Sequence, residues 1–420
     1  MSSYKPYRHR RRNIYSKRRS PVASALKIAG FALGAAVIVF LGYSLQPVLQ
    51  NLASGKYSVS SQAKASSKAP VSSKASAASS KTSSSAASTQ IKGIYLPQSA
   101  LKDTASASKT AQEAKKAGVN TAVVELKGEN GVVAYASKVT QAQGQGIIAS
   151  GAPDASALAQ ELTKDGVTPA AKISCFKDPV APSVLRSAAV LYSGDHSQLW
   201  LEYNGDSRLN WLNPYSEDAR QYIISLAKEA VSLGYKQIYL DNIEFPVSDE
   251  HAYYGDNLTT KEEALKAFMT EAQQQISAAG GKVSFIMPGD AAVGSGTAQK
   301  GLDQSLYAFT SDYYTPNLCP SLFKQGITIN GTAIAKPDLA PGSTVAAAAA
   351  YLASQAGAKL SATVPYIEAY TNTSLGEGSY TNYTATEINA EIASLKNAGI
   401  TSYILYSPTG VYDFSSLSIK

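Results

Sequence analysis

Six stretches of helical periodicity in this 420-residue chain end in glycine and pass, within a few residues, into a short apolar run. The glycines are Gly118, Gly166, Gly234, Gly280, Gly357 and Gly399, and the runs read GVNTAVVEL, GVTPAAKIS, GYKQIYLDN, GGKVSFIMP, GAKLSATVP and GITSYILYS. Glycine just past a helix suits the left-handed cap, and an apolar run of this length suits a strand covered on both faces. The pattern predicts helices alternating with parallel strands. The 77-residue gap between Gly280 and Gly357 leaves room for one more unit, with its strand at residues 311–315, and residues 92–96 supply an opening strand. Eight strands in about 330 residues fit a (β/α)8 TIM barrel. An open dinucleotide-binding sheet would need a Gly-rich phosphate turn after the first strand, where this chain has LPQSALKD.

The intervening helices carry ordinary signals. Thr260 with Glu263 and Thr384 with Glu387 fit the capping box. Leu265, Phe268, Met269, Ala272 and Ile276 fall on one helical face, and Tyr222, Ile223, Leu226, Ala230 and Leu233 on another, as packing stripes do.

Charge divides the chain in two. Residues 1–102 contain 16 Lys and Arg and no acid, whereas the remainder contains 22 basic and 31 acidic residues, so the N-terminal segment carries +16, the remainder −9, and the overall +7 owes its sign to the N-terminal segment. A basic overall balance is then no sign of nucleic-acid binding by the folded part, and no nucleic-acid partner is expected. Residues 28–45 hold no charge and follow a segment, residues 1–27, with nine Lys and Arg. Eighteen helical residues reach about 27 Å, enough to cross a bilayer core, and the positive-inside rule keeps the N-terminus cytoplasmic. A cleaved signal peptide would have a shorter apolar core and a small-x-small site, for which Ala53-Ser54-Gly55 is a weak match. The expectation is a single-pass signal-anchor in the cell membrane with the barrel, residues 91–420, extracytoplasmic. Residues 46–90 are Ser, Ala and Lys with little to bury, which reads as a disordered spacer reaching roughly 35–40 Å. Two cysteines, Cys175 and Cys319, leave a disulfide and two buried thiols both open.

The chemistry is bounded by what is missing. Only His196 and His251 fall in the barrel, with no metal-ligand spacing, and no G-x-S-x-G occurs, so neither a metal nor a cofactor is expected and a Ser-His-Asp hydrolase is unsupported. Carboxylates remain, at the strand ends where barrel enzymes keep their chemistry: Glu125 and Glu129 at the second, Asp178 at the third, Asp241 and Glu244 at the fourth, Asp290 after the fifth and Glu368 after the seventh. Two acids facing one cleft are the minimum for glycoside hydrolysis. Asp241 with Glu368 or Glu244 is the expected catalytic pair. Alternation puts Glu125 and Lys127 on one strand face, and with Lys172 they are either substrate contacts or an ion network inside the barrel. Among 26 tyrosines, Tyr253, Tyr254, Tyr313, Tyr314, Tyr366 and Tyr370 are expected in loops at the active face, where rings stack on sugars. Trp200 and Trp211 bracket a further loop that suits packing or ligand contact.

At four ordered motifs the chain resembles a bacterial family of glycoside hydrolase-like (β/α)8 domains. They are NTAVVELKGENGVVAY, AAKISCFKDP, WLNPYSEDARQYIISLAKEA and IYLDNIEFP, and the resemblance spans about residues 92–410. It implies functional positions at Glu125 (for the family's Asp), Lys127, Lys172 (for Arg), Asp178, Asp241, Phe245 and Pro246. Substrate-binding roles are expected for Glu125, Lys127, Lys172, Asp178, Tyr314 and Tyr366. The second half departs from the family: TPNLCPSLF stands where S-P-M-x-Y-P-S-H-Y is usual, and Glu244 replaces an Arg. The departures suit a new specificity or a barrel that binds without cleaving. The two readings are a glycoside hydrolase-like protein acting on a cell-surface or environmental polysaccharide, and a noncatalytic glycan-binding or wall-associated protein on the same fold.

Overall fold

The computed structural model describes residues 90–419 apart from 205–206, 257, 296–299, 303–304 and 324–325. The expected basic tail (1–27), membrane span (28–45) and all but the last residue of the linker (46–90) lie outside the described residues. No helix among those described is long and apolar enough to cross a membrane.

Eight parallel strands close into a barrel in chain order: β1 Lys92–Leu96, β2 Thr121–Lys127, β3 Thr168–Ser174, β4 Gln237–Asp241, β5 Lys282–Pro288, β6 Tyr313–Asn317, β7 Tyr366–Glu368 and β8 Tyr403–Tyr406. Six helices of ten or more residues lie between them: α1 Thr104–Ala117, α2 Ala155–Lys164, α3 Glu217–Ser232, α4 Lys261–Ala278, α5 Pro341–Ala356 and α6 Ala385–Asn397. Both capping boxes form, at Thr260 and Thr384. The apolar stripe of α4 is buried, and so is that of α3 except for the half-buried Leu233 at its end.

Alternation along each strand creates two cores. Tyr95, Val123, Ala170, Tyr239, Ile286 and Ile404 fill the barrel interior, while Ile94, Val124, Ile173 and Leu240 face the helices. The glycine joints work as expected at five places; Gly118, for example, has φ 113° and caps α1. The sixth differs. Gly357 leads into a 3-10 helix, Gly357–Ala362, and β7 begins only at Tyr366. The segment AKLSA has no β-branched residue to favour a strand, and Pro365 delays entry into the sheet. The sixth strand likewise starts two residues later than the apolar pattern suggests.

Candidate active site

Strands β2, β3 and β4 bring Glu125, Lys172 and Asp241 side by side. The register pairs Glu125 with Lys172 and Ser174 with Asp241, and all three charged side chains point into the barrel at its C-terminal mouth. Lys172 Nζ lies 3.1 Å from Glu125 Oε1 and 2.8 Å from Asp241 Oδ2. Burial opposes charge on this lysine, but the carboxylates of Asp241 and Glu125 outweigh it and hold the ammonium well above its ordinary range. The other oxygen of Asp241, Oδ1, accepts the backbone N–H of Asn242 at 2.8 Å. Asn242 itself sits in the left-handed region at φ 51°, with its side-chain amide donating to Ser174 Oγ at 2.9 Å. Both oxygens of Asp241 are therefore fixed, and the group faces the mouth with 22% of its side chain exposed.

Above this floor opens a cleft of about 1070 Å³ lined by Glu125, Lys172, Asp241, Asn317, Tyr366, Tyr370 and Tyr406, with Glu129, Lys177, Asp290 and Lys300 toward its rim. Tyr366 is held in the barrel interior with its hydroxyl unpartnered. Tyr95, one residue short of the β1 terminus, packs against Tyr406 of β8 with ring centroids 4.9 Å apart and planes tilted by 51°. Its hydroxyl is pushed up by burial and by the neighbouring Glu125. Glu244, three residues past Asp241, is nearly buried and pairs with Lys300 at 2.7 Å. Burial raises its carboxyl above the usual range against the pull of Lys300, and the charge of Asp241 adds to the rise. A carboxylate floor beside a second, raised carboxyl is chemistry suited to moving a proton onto a leaving oxygen.

Other expected site residues lie elsewhere. The ladder shifts register between Glu125 and Lys127, aligning Lys127 with the helix-facing Ile173, so the two do not share a face as simple alternation predicts. Lys127 instead meets Asp178 at 2.9 Å, both fully buried, and donates to Ser174 O. Asp178 lies four residues beyond the end of β3, where its Oδ1 accepts the N–H groups of Val180 and Ala181. Tyr314 is a strand residue packed into the helix layer, bonded to Phe309 O and ringed by Tyr307. Glu368 ends β7 fully buried and is absent from the cleft lining. Trp200 and Trp211 are buried packing residues that donate to Glu250 O and Glu202. Cys175 and Cys319 are free, buried thiols. Among the described residues no group of His, Cys, Asp and Glu could hold a metal.

Sequence reasoning missed Asn242, Lys300, Tyr95 and Tyr406. The last two stand next to or at the C-terminal ends of β1 and β8 and were open to the strand-end argument that found Asp241. Lys300 carries no such signal, because its partner Glu244 lies 56 residues away.

No curated protein matches the sequence. Among solved structures, the PgaB (BpsB) glycoside hydrolase domain from Bordetella bronchiseptica superposes with TM-score 0.54 at 11% identity, over 76% of this chain and 95% of that one, and shares the fold. A hypothetical protein from Ruminiclostridium thermocellum is 26% identical over 46% of this chain and 96% of its own, with TM-score 0.41. A chitinase from Chromobacterium violaceum is 12% identical over 79% of this chain and 98% of its own, with TM-score 0.46. The family model for DUF4015 matches residues 93–412, most of the barrel, and the chain belongs to that family, described as a putative glycosyl hydrolase domain.

Proposed function

We propose that the barrel hydrolyses glycosidic bonds in a polysaccharide of the cell surface or its surroundings, held outside the membrane by residues 28–45. The observation that carries the reading is Asp241, fixed through both oxygens on the floor of a cleft large enough for sugar rings. Asp241 acts as the base or nucleophile. Glu244, whose carboxyl burial raises above the usual range, is the acid that gives its proton to the leaving glycosidic oxygen as Lys300 moves aside. Glu125 and Lys172 orient Asp241, and Tyr366 offers its free hydroxyl to a sugar. Neither Glu244 nor Glu368 lines the cleft, but Glu244 pairs with Lys300, which does, whereas Glu368 is 0% exposed and has less support as the acid. The chemistry of the wall supports a carbohydrate partner, since tyrosine rings with polar edges suit sugar faces.

A noncatalytic glycan-binding role is the second reading. It is favoured by the ion pairs, because Glu125, Glu129, Asp241 and Glu244 each already face a lysine. Release of reducing ends from wall and capsule glycans decides between the two. On the first reading Asp241→Asn and Glu244→Gln each lower turnover by a factor on the order of 100 or more while the protein stays folded. Activity that persists in Asp241→Asn, or that falls only in step with lost folded protein, defeats the catalytic assignment. Binding on a glycan array without any release establishes the second reading.

A further inference from the structure

Behind the cleft wall, β7, α6 and the turn at Pro337–Leu339 bury three carboxyls together. Glu368 and Glu391 are 0% exposed and Asp338 2%. Glu391 accepts the Glu368 N–H at 3.0 Å and the Tyr383 hydroxyl at 2.7 Å, Asp338 accepts the Thr381 N–H at 2.8 Å, and Glu368 Oε2 accepts the Ser321 N–H at 2.8 Å. Glu368 Oε1 and Asp338 Oδ1 have no partner. None of the ion pairs among the described residues reaches these three groups. Burial without a cation disfavours charge on all three. Burial pushes Glu368 up to about 8, the Ser321 N–H opposing and Asp338 adding to the rise. Burial likewise drives Glu391 well above the usual range, against its hydroxyl donor Tyr383.

The cluster approaches the cleft lining through Ser321. Ser321 belongs to the short turn Pro320–Phe323 after β6, and its successors Leu322 and Phe323 line the cleft. Tyr370, also in the lining, places its hydroxyl 3.4 Å from Ser321 Oγ. Ser321 thus joins Glu368 to the cleft lining, and the bond that joins them ends on a group that titrates. The titratable groups around Glu368 are Glu391 from α6, Tyr383 from its approach, Asp338 from the neighbouring turn, Cys319 from the loop out of β6 and Tyr370 from the rim.

We propose that Pro320–Phe323 is a proton-operated section of the cleft wall, closed while Glu368 is neutral and displaced when Glu368 ionises, so that its carboxylate reaches the water of the cleft. Ionisation beside Glu391 and Asp338 puts charge where only the Ser321 N–H answers it. The least disruptive relief is for the turn to move out with the carboxylate, Ser321 N–H still donating to it and the weak Tyr370 contact given up, because the opposite side is closed by β7 and α6. The device stands apart from the hydrolytic reading, and its test needs no activity.

Cys319, buried immediately before Pro320, reports the movement, and Cys175, buried at the end of β3, is the internal control. The full-length chain is treated with iodoacetamide at pH 7 and pH 9, and labelling of each cysteine is read by mass spectrometry of its peptide. Comparison with Glu368→Gln and Glu391→Gln at each pH cancels the chemistry of the thiol itself. The ratio of wild-type to Glu368→Gln labelling at Cys319 rises on the order of tenfold between the two pH values, following the ionised fraction of Glu368, while the ratio at Cys175 stays level. Glu391→Gln shifts the rise to lower pH by removing one cause of burial strain in the pair's charged state only if it folds; should it not, Glu368→Gln alone decides. A constant ratio at Cys319, or an equal rise at both cysteines, overturns the proposal.

Discussion

At the scale of single residues, the site depends on a backbone conformation as much as on its charges. Asn242 takes φ 51°, which turns its N–H onto Asp241 Oδ1 and its amide onto Ser174. Asn and Gly visit this region at low cost, whereas a β-branched residue does not. Asn242→Val therefore costs about 1–3 kcal/mol and lowers the Tm by several degrees, while Asn242→Gly keeps the backbone and loses only the Ser174 bond and some unfolded-state restraint. Thermal unfolding of the two variants checks this; equal losses would show that the left-handed turn is not what the site requires. Asp241 was legible in the sequence because it closes an apolar run where barrel chemistry gathers. Asn242 was not, since tolerance of a left-handed turn is a permission that the surrounding structure must use. The buried trio was illegible for a related reason: Glu391 reads as an ordinary helical acid until α6 is laid against β7 and its carboxyl meets the Glu368 N–H.

Among elements, one irregularity explains most of what alternation misassigned. The register shift after Glu125 leaves Glu125 facing Lys172 inside the barrel and turns Lys127 toward the helices, where it meets Asp178. That ion pair ties β2 to the loop after β3, and the loop carrying Gly131 packs so closely on it that a Cβ there would collide with the Asp178 carboxylate. With φ 76°, Gly131 also occupies a conformation other residues avoid. Breaking a fully buried pair leaves an uncompensated charge, so Asp178→Asn or Lys127→Met alone costs about 3–5 kcal/mol. The double variant loses less than the two single losses combined, because neither charge remains. Chemical denaturation of the cycle reads the coupling, and strict additivity would mean that the two groups act independently. Strand positions were otherwise readable from glycine caps and apolar runs, and β1 has the bounds the sequence suggested. The Gly357 joint, which leads to β7, failed because its apolar residues belong to a 3-10 turn, whose period a short run cannot distinguish from that of a strand.

For the whole molecule, charge is the property that divides function by position. The basic residues of the first 102 positions have no acidic counterpart, and the remainder carries 31 acids against 22 bases. A chain so arranged behaves as a cation or an anion according to whether its N-terminal segment is attached. The anchor-and-spacer reading of residues 28–90 then gives a joint expectation. Protease added to cells stripped of outer barriers cuts within residues 50–90, where Ser, Ala and Lys offer no core to protect the backbone, and frees a barrel that is negatively charged. The freed fragment binds an anion exchanger at pH 8, and DNA retains it only weakly at low salt, because no cluster of bases remains to release counterions. Protection of the spacer on intact cells would place the barrel on the other side of the membrane. A freed fragment that bound DNA with a steep salt dependence would locate a basic surface on the barrel itself, and the partition of charge along the chain would no longer predict its partners.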